Sequence, residues 1–293
     1  MFQWYYLALL SSVFLGVETL IEKGTLRQEY ASAYTASFTM LAGVIALVFI
    51  PFANFSISLL DVILIYITGT VATITYLLNA RVYRHGHVSV ASPELSVLPI
   101  IFVIFLAFGT LHESLTYIQY LFMALLMVSA YMLMRNKAKN PFESYFEKRK
   151  YIYLIILSSF LTALFAVLTK YLLDSGLNIF TFLVLAELSM AVNMAIYMTI
   201  KYGGVKEIVS NYINHKAPIT SIALLTTADR LCYYASMSLA FASLVAPVRN
   251  TISVIITVLI GGLVFNEANL SKKLLFSAIM IVSAYFIIIP FTI

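Results

Sequence analysis

A chain of 293 residues that is 62% hydrophobic and 11% charged is not a soluble domain, because soluble domains carry roughly 25% charged residues and cannot hide so much apolar surface. Its net charge of +5 marks no nucleic-acid partner, since most Lys and Arg fall in short segments between apolar runs. A single cysteine, Cys232, excludes a disulfide framework, and the alternating strands of an outer-membrane barrel are absent from the sequence.

The apolar runs predict an all-α membrane protein of ten transmembrane helices, over residues 4–22, 32–52, 58–80, 88–108, 116–134, 151–172, 178–200, 217–240, 243–265 and 272–291. The first span opens on an interfacial aromatic anchor, Trp4-Tyr5-Tyr6, and carries Glu18 close to its end. Met1-Phe2-Gln3 has no basic character, so no cleavable signal is expected. The third span ends in Asn79 and Ala80-Arg81-Val82-Tyr83. His85-Gly86-His87 follows, with no cysteine or carboxylate nearby, and reads as a solvated loop rather than a metal site. In the fourth span Val90-Ala91-Ser92-Pro93 leads into Glu94, and Glu113 stands in the turn after it. A polar segment containing Pro141, residues 135–150, reads as a linker. Beyond it come Lys170, Glu187, the adjacent Asp229 and Arg230, and a ninth span with Pro247, Arg249 and Asn250.

The two sides of the linker repeat each other. Val128-Ser129-Ala130-Tyr131 recurs as Val282-Ser283-Ala284-Tyr285, and the same register carries Ser89 onto Ser243, Pro93 onto Pro247 and Glu113 onto Glu267. A second register carries Leu10-Ser11-Ser12 onto Leu157-Ser158-Ser159 and Lys23 onto Lys170. Residues 1–134 and 151–293 are therefore expected to be two units of five helices each. An odd number of spans makes the second unit enter from the opposite side, which gives inverted repeats. Fifteen of the 18 Lys and Arg lie in the linker and the loops after odd-numbered spans. The positive-inside rule puts those loops in the cytoplasm and both termini outside.

With Ala80-Arg81-Val82-Tyr83, Val90-Ala91-Ser92-Pro93, Leu98-Pro99-Ile100 and Glu113 in the first half, and Ala242-Ser243-Leu244-Val245-Ala246-Pro247-Val248-Arg249, Gly261-Gly262 and Glu267 in the second, the chain resembles the EamA-type branch of the drug/metabolite transporter superfamily. His112 and Asn266 stand where that family usually has glycine, and Pro99 becomes Ser253 in the second copy. The resemblance implies cytoplasmic termini, opposite to the Lys/Arg bias. It also implies that spans 1, 3, 4, 6, 8 and 9 line a central cavity. Glu18, Glu94, Asp229, Arg230 and Arg249 would then lie on or near it, and Glu187 outside it.

Charges inside a bilayer are costly and mark function or pairing. Glu94 and Asp229 are candidates to hold a proton or a cationic group, with Asp229 nearest the midplane and first choice as the coupling site. Arg249 either holds an anionic group or pairs with a carboxylate to fix spans 4 and 9. Asp229 and Arg230 sit about 100° apart on their helix and are expected to point different ways. Asn79 and Asn250 offer amides to a substrate or to a neighbouring helix. Pro93 and Pro247 are hinge candidates or static kinks. Glu113 and Glu267 are expected to stabilise the N-termini of the helices that follow them.

The function expected is secondary active transport of a small polar or amphipathic solute, amino-acid-like in size, by alternating access. Export coupled to H+, or exchange, is the expected mode. No G-x-x-x-x-G-K-[ST] motif is present, so direct use of ATP is not expected. The alternatives are a flippase for a lipid-linked substrate and, remotely, a membrane-embedded enzyme. The partners expected are a small-molecule substrate and the lipid bilayer of the plasma membrane, with no nucleic acid, no metal and no cofactor.

Overall fold

A computed structural model describes residues 3–26, 30–85, 88–135, 149–264 and 270–288. Among them run eleven α-helices and no strand: α1 (Trp4–Leu26), α2 (Ala31–Ala46), α3 (Leu59–His85), α4 (Val88–Thr110), α5 (Tyr117–Arg135), α6 (Arg149–Asp174), α7 (Ile179–Lys201), α8 (Val205–Asn214), α9 (Lys216–Met237), α10 (Ala242–Val264) and α11 (Leu270–Ile288). Ten of them fall on the ten spans read from the sequence, with ends moved by a few residues.

Three local differences have physical causes. The second span ends as an α-helix at Ala46 and continues as a 3-10 turn, Leu47–Phe52, containing Pro51, whose ring removes an amide donor from the ladder. Residues 201–216, read as a loop, contain the amphipathic helix α8. It starts after Gly204, whose φ of 73° suits a residue without a side chain. The eighth span stops at Met237 rather than at residue 240.

Among the described residues, five helical stretches are long and apolar enough to cross a bilayer, namely Trp4–Leu26, Ala31–Phe52, Leu59–Tyr83, Ile152–Asp174 and Ile179–Lys201. Shorter apolar stretches cover Leu95–Thr110, Tyr117–Ser129, Ala242–Thr257 and Leu275–Ile288. The remaining long helix, α9, is diluted by Lys216, Asp229 and Arg230. Large apolar side chains stand bare on the outside, as at Phe105 (72% exposed) and Val48 (70%). A surface of that kind belongs in lipid.

The packing joins the two halves throughout. Helix α1 packs on α9 and α10, while α6 packs on α3 and α4. Facing partners are α2 with α7, α4 with α10 and α5 with α11, and α3 and α9 reach α7 and α2 respectively. Small residues permit the closest approaches, since apolar side chains gain little by leaving lipid for a neighbouring helix. A Cβ on Gly16 of α1 would sit 2.8 Å from Ile256 Cγ2 of α10, and one on Gly69 of α3 would sit 2.6 Å from Ser189 Cβ of α7. Buried hydroxyls of Ser12, Thr35, Thr39 and Thr73 donate to carbonyls one turn back, at 2.6–2.8 Å, so they need no partner from lipid.

Candidate functional site

Six helices surround one central cavity of about 110 Å³. They are α1, α3, α4, α6, α9 and α10, the six that the family resemblance implies. Its lining includes Glu18 and Glu22 from α1, Tyr76, Asn79 and Tyr83 from α3, Pro99 from α4 and Phe165 from α6. Arg230 and Tyr233 come from α9, and Arg249 and Asn250 from α10. On α1 and α3 the lining reaches Glu22 and Tyr83, within about a turn of the helix ends that lead into basic segments.

Both arginines are held by carboxylates. Arg249 forms an ion pair with Asp229. Its Nε donates to Asp229 Oδ1 at 3.0 Å and to Ser11 Oγ at 2.9 Å, and the serine hydroxyl in turn donates to Asp229. The guanidinium carbon lies 4.4 Å from the centre of the Tyr233 ring, a cation–π distance. Among the described residues the carboxylate partner of Arg249 is thus in its own half, one helix back. Arg230 forms an ion pair with Glu187 of α7, wholly buried, and its guanidinium carbon sits 4.9 Å from the centre of the Tyr76 ring. Asp229 and Arg230 therefore point to different neighbours. Glu187, placed outside the cavity by the resemblance, enters the site from behind by neutralising a cavity arginine. The signal for it was a lone carboxylate in an otherwise apolar run.

The two amides serve neighbouring helices. Asn250 donates to the carbonyl of Ser96 on α4 at 3.2 Å and accepts from Arg249 at 3.3 Å. Asn79 accepts from Ser158 on α6. Lys170, 6% exposed, pairs with Asp174 at 2.6 Å.

Among the described residues the carboxylates of α1 have no ion-pair partner. Glu18 is 3% exposed and its Oε2 accepts no hydrogen bond. Glu22, 8% exposed, lies one turn further along the same face, since positions i and i+4 are neighbours on a helix surface. Sequence reasoning passed over Glu22 because it falls at the edge of a predicted span. The side chains of Pro93 and Glu94 lie outside the described residues, as does the loop holding His87 and the turn holding Glu267. Pro247 lies inside α10.

Glu113 corrects an expectation. It caps not the helix after it but α10 of the other half. Its carboxylate accepts from the backbone N–H of Ala242 at 2.8 Å and of Ser243 at 2.9 Å, and from the Ser243 hydroxyl. A carboxylate there satisfies orphan donors and meets the positive end of the helix dipole.

Over residues 2–135 the sequence matches the model of the EamA-like transporter family. That stretch takes in helices α1 to α5, a little under half of the chain. EamA-like chains are membrane transporters of the drug/metabolite transporter type. A protein of known crystal structure, 10% identical in sequence, superposes with a TM-score of 0.72 over 97% of this chain and 95% of its own, a likeness that establishes the fold. No curated protein matches the chain.

Proposed function

We propose that this EamA-like chain is a secondary active transporter that moves a small polar or amphipathic solute by alternating access, with ten membrane-spanning helices in two inverted five-helix repeats. The helix pairing supports the repeat. Exchanging α1, α2, α3, α4 and α5 with α6, α7, α9, α10 and α11 turns each of the packing pairs described above into itself or into another of the set. A pseudo-two-fold relation has that property. The single observation that carries the function is the cavity at the junction of the two halves, lined by ionisable groups at membrane depth.

The cavity reaches the helix ends that lead into basic segments, which the Lys/Arg bias places in the cytoplasm. Loading from that side favours export, across the plasma membrane. A cavity of about 110 Å³ favours a small solute over a lipid-linked one, and a lipid-scrambling assay on the same vesicles separates the two. The coupling role moves from Asp229 to Glu18. Asp229 is engaged by Arg249 and Ser11, whereas Glu18 faces the cavity with an oxygen unpartnered and has Asp229, Arg230 and Arg249 around it.

The test is solute flux in liposomes carrying the purified chain, with and without an imposed pH gradient. A solute accumulated in response to the gradient by the wild type, and only equilibrated by Glu18→Gln, supports coupled transport through Glu18. Flux of no solute above that of empty vesicles rejects the transporter reading.

A further inference from the structure

The six cavity helices do not group by repeat. Helix α1 packs on α9 and α10, and α6 packs on α3 and α4, so each group of three takes two helices from one half and one from the other. A bond of one kind holds the exchanged helix in each group. Ser11 of α1 donates to Asp229 of α9, and its repeat counterpart, Ser158 of α6, donates to Asn79 of α3. The two groups meet along α4 and α10. There Asn250 donates to the carbonyl of Ser96 at 3.2 Å. The register that carries Pro93 onto Pro247 carries Ser96 onto Asn250. A residue that meets its own counterpart lies on the axis relating the two halves. One group turning against the other leaves that point in place.

The cavity reaches Glu22 and Tyr83 at one end and stops at Leu15, Tyr233 and Ala246 at the other. Beyond that second end Ala8, Ser12 and Met237 are wholly buried. Glu113, on the turn after α4, bridges the two groups there. Its carboxylate accepts from the N–H groups of Ala242 and Ser243 and from the Ser243 hydroxyl, at the first turn of α10. Ser243 stands about 10 Å along the helix from Asn250, so a turn about Asn250 moves it relative to α4.

We propose that Glu113 is the latch of the sealed end: α3, α4 and α6 turn against α1, α9 and α10 about the Ser96–Asn250 contact, and release of Ala242 and Ser243 from Glu113 opens the cavity on the face opposite Glu22 and Tyr83. This rests on the transporter reading and names a contact that breaks and re-forms in each cycle. A latch must hold when shut and part without a large penalty. Three donors on one carboxylate hold it shut. When it parts toward water, the carboxylate and the freed N–H groups exchange one set of hydrogen bonds for another, and the net change is small. The Asp229–Arg249 pair within the other group has no such escape, because it is buried between helices that stay together.

The experiment places one thiol at the sealed end of the cavity, in the full chain carrying Cys232→Ser and Ala246→Cys. A membrane-impermeant methanethiosulfonate is added to intact cells and, separately, to inverted membrane vesicles. With the latch unaltered, reaction is expected from one face only. Glu113→Ala is expected to raise the rate from the other face roughly fivefold or more. Glu113→Gln and Ser243→Ala, which each keep part of the clasp, are expected to raise it less. A residue that only caps α10 would lower the thermal midpoint and leave the labelling on one face. Equal rates from both faces with the latch unaltered, or no rise from the second face in monodisperse Glu113→Ala, would overturn the proposal. Should Glu113→Ala not fold, the same reading of Glu113→Gln and Ser243→Ala decides it. The labelling needs no solute, so its failure is distinct from that of the transporter reading: unchanged labelling beside solute flux that persists removes the latch and keeps the transporter.

Discussion

Taking one member from a buried ion pair leaves the other charged in a medium that cannot solvate it. Asp229→Asn and Arg249→Gln are each expected to lower the thermal midpoint and the yield of monodisperse protein, and the double substitution to recover part of both. The pair should show a coupling energy of about 0.5–3 kcal/mol in a thermal double-substitution cycle. Additive losses would mean that Arg249 does not depend on Asp229. The sequence displays Asp229, Arg230 and Arg249 plainly, because a charge stands out in an apolar run. It does not display who pairs with whom. Glu187 reaches Arg230 across helices α7 and α9, and only packing decides that contact.

Helix ends and crossings carry the next set of effects. Glu113 holds the first turn of α10 from the other half of the chain. Glu113→Ala strips two backbone N–H groups of their acceptor, with an expected cost of about 0.5–2 kcal/mol, measurable as a lowered midpoint, while Glu113→Gln retains an acceptor and loses less. At the α3–α7 crossing a Cβ at Gly69 has 2.6 Å to Ser189 Cβ, so Gly69→Val is expected to separate the helices and reduce the folded yield severalfold. Gly24, whose added Cβ meets nothing within 4 Å, is the control that tolerates alanine. The long elements were legible because about twenty apolar residues in a row admit few alternatives. Helix α8 was not, because Val205–Asn214 mixes charged, amide and apolar residues over ten positions and reads as a polar connection. The reach of Glu113 was not legible either: a turn acid in sequence looks local, and its partner lies 129 residues away.

For the molecule as a whole, orientation is the quantity that the Lys/Arg bias and the family resemblance assign differently. The bias predicts exterior termini, so a C-terminal reporter that works only in the cytoplasm is expected to be silent; a strongly active one places the chain the other way up and turns the cavity to face outward. Helix α8 supplies an independent gauge. Ile208 and Asn211 are its buried positions, Asn211 accepting from Ser37 of α2 at 2.9 Å, while Val205, Val209 and Ile213 stand exposed along another stripe beside Lys206, Ser210 and Asn214. Ten residues rise only about 15 Å, too little to cross a bilayer, and a short helix with one apolar and one wet side rests where acyl chains meet headgroups. Its axis therefore draws the waterline of the protein. A spin label at position 209 should feel oxygen from the lipid and one at position 210 should feel a water-soluble relaxer, so two adjacent residues mark the level at which the whole bundle floats.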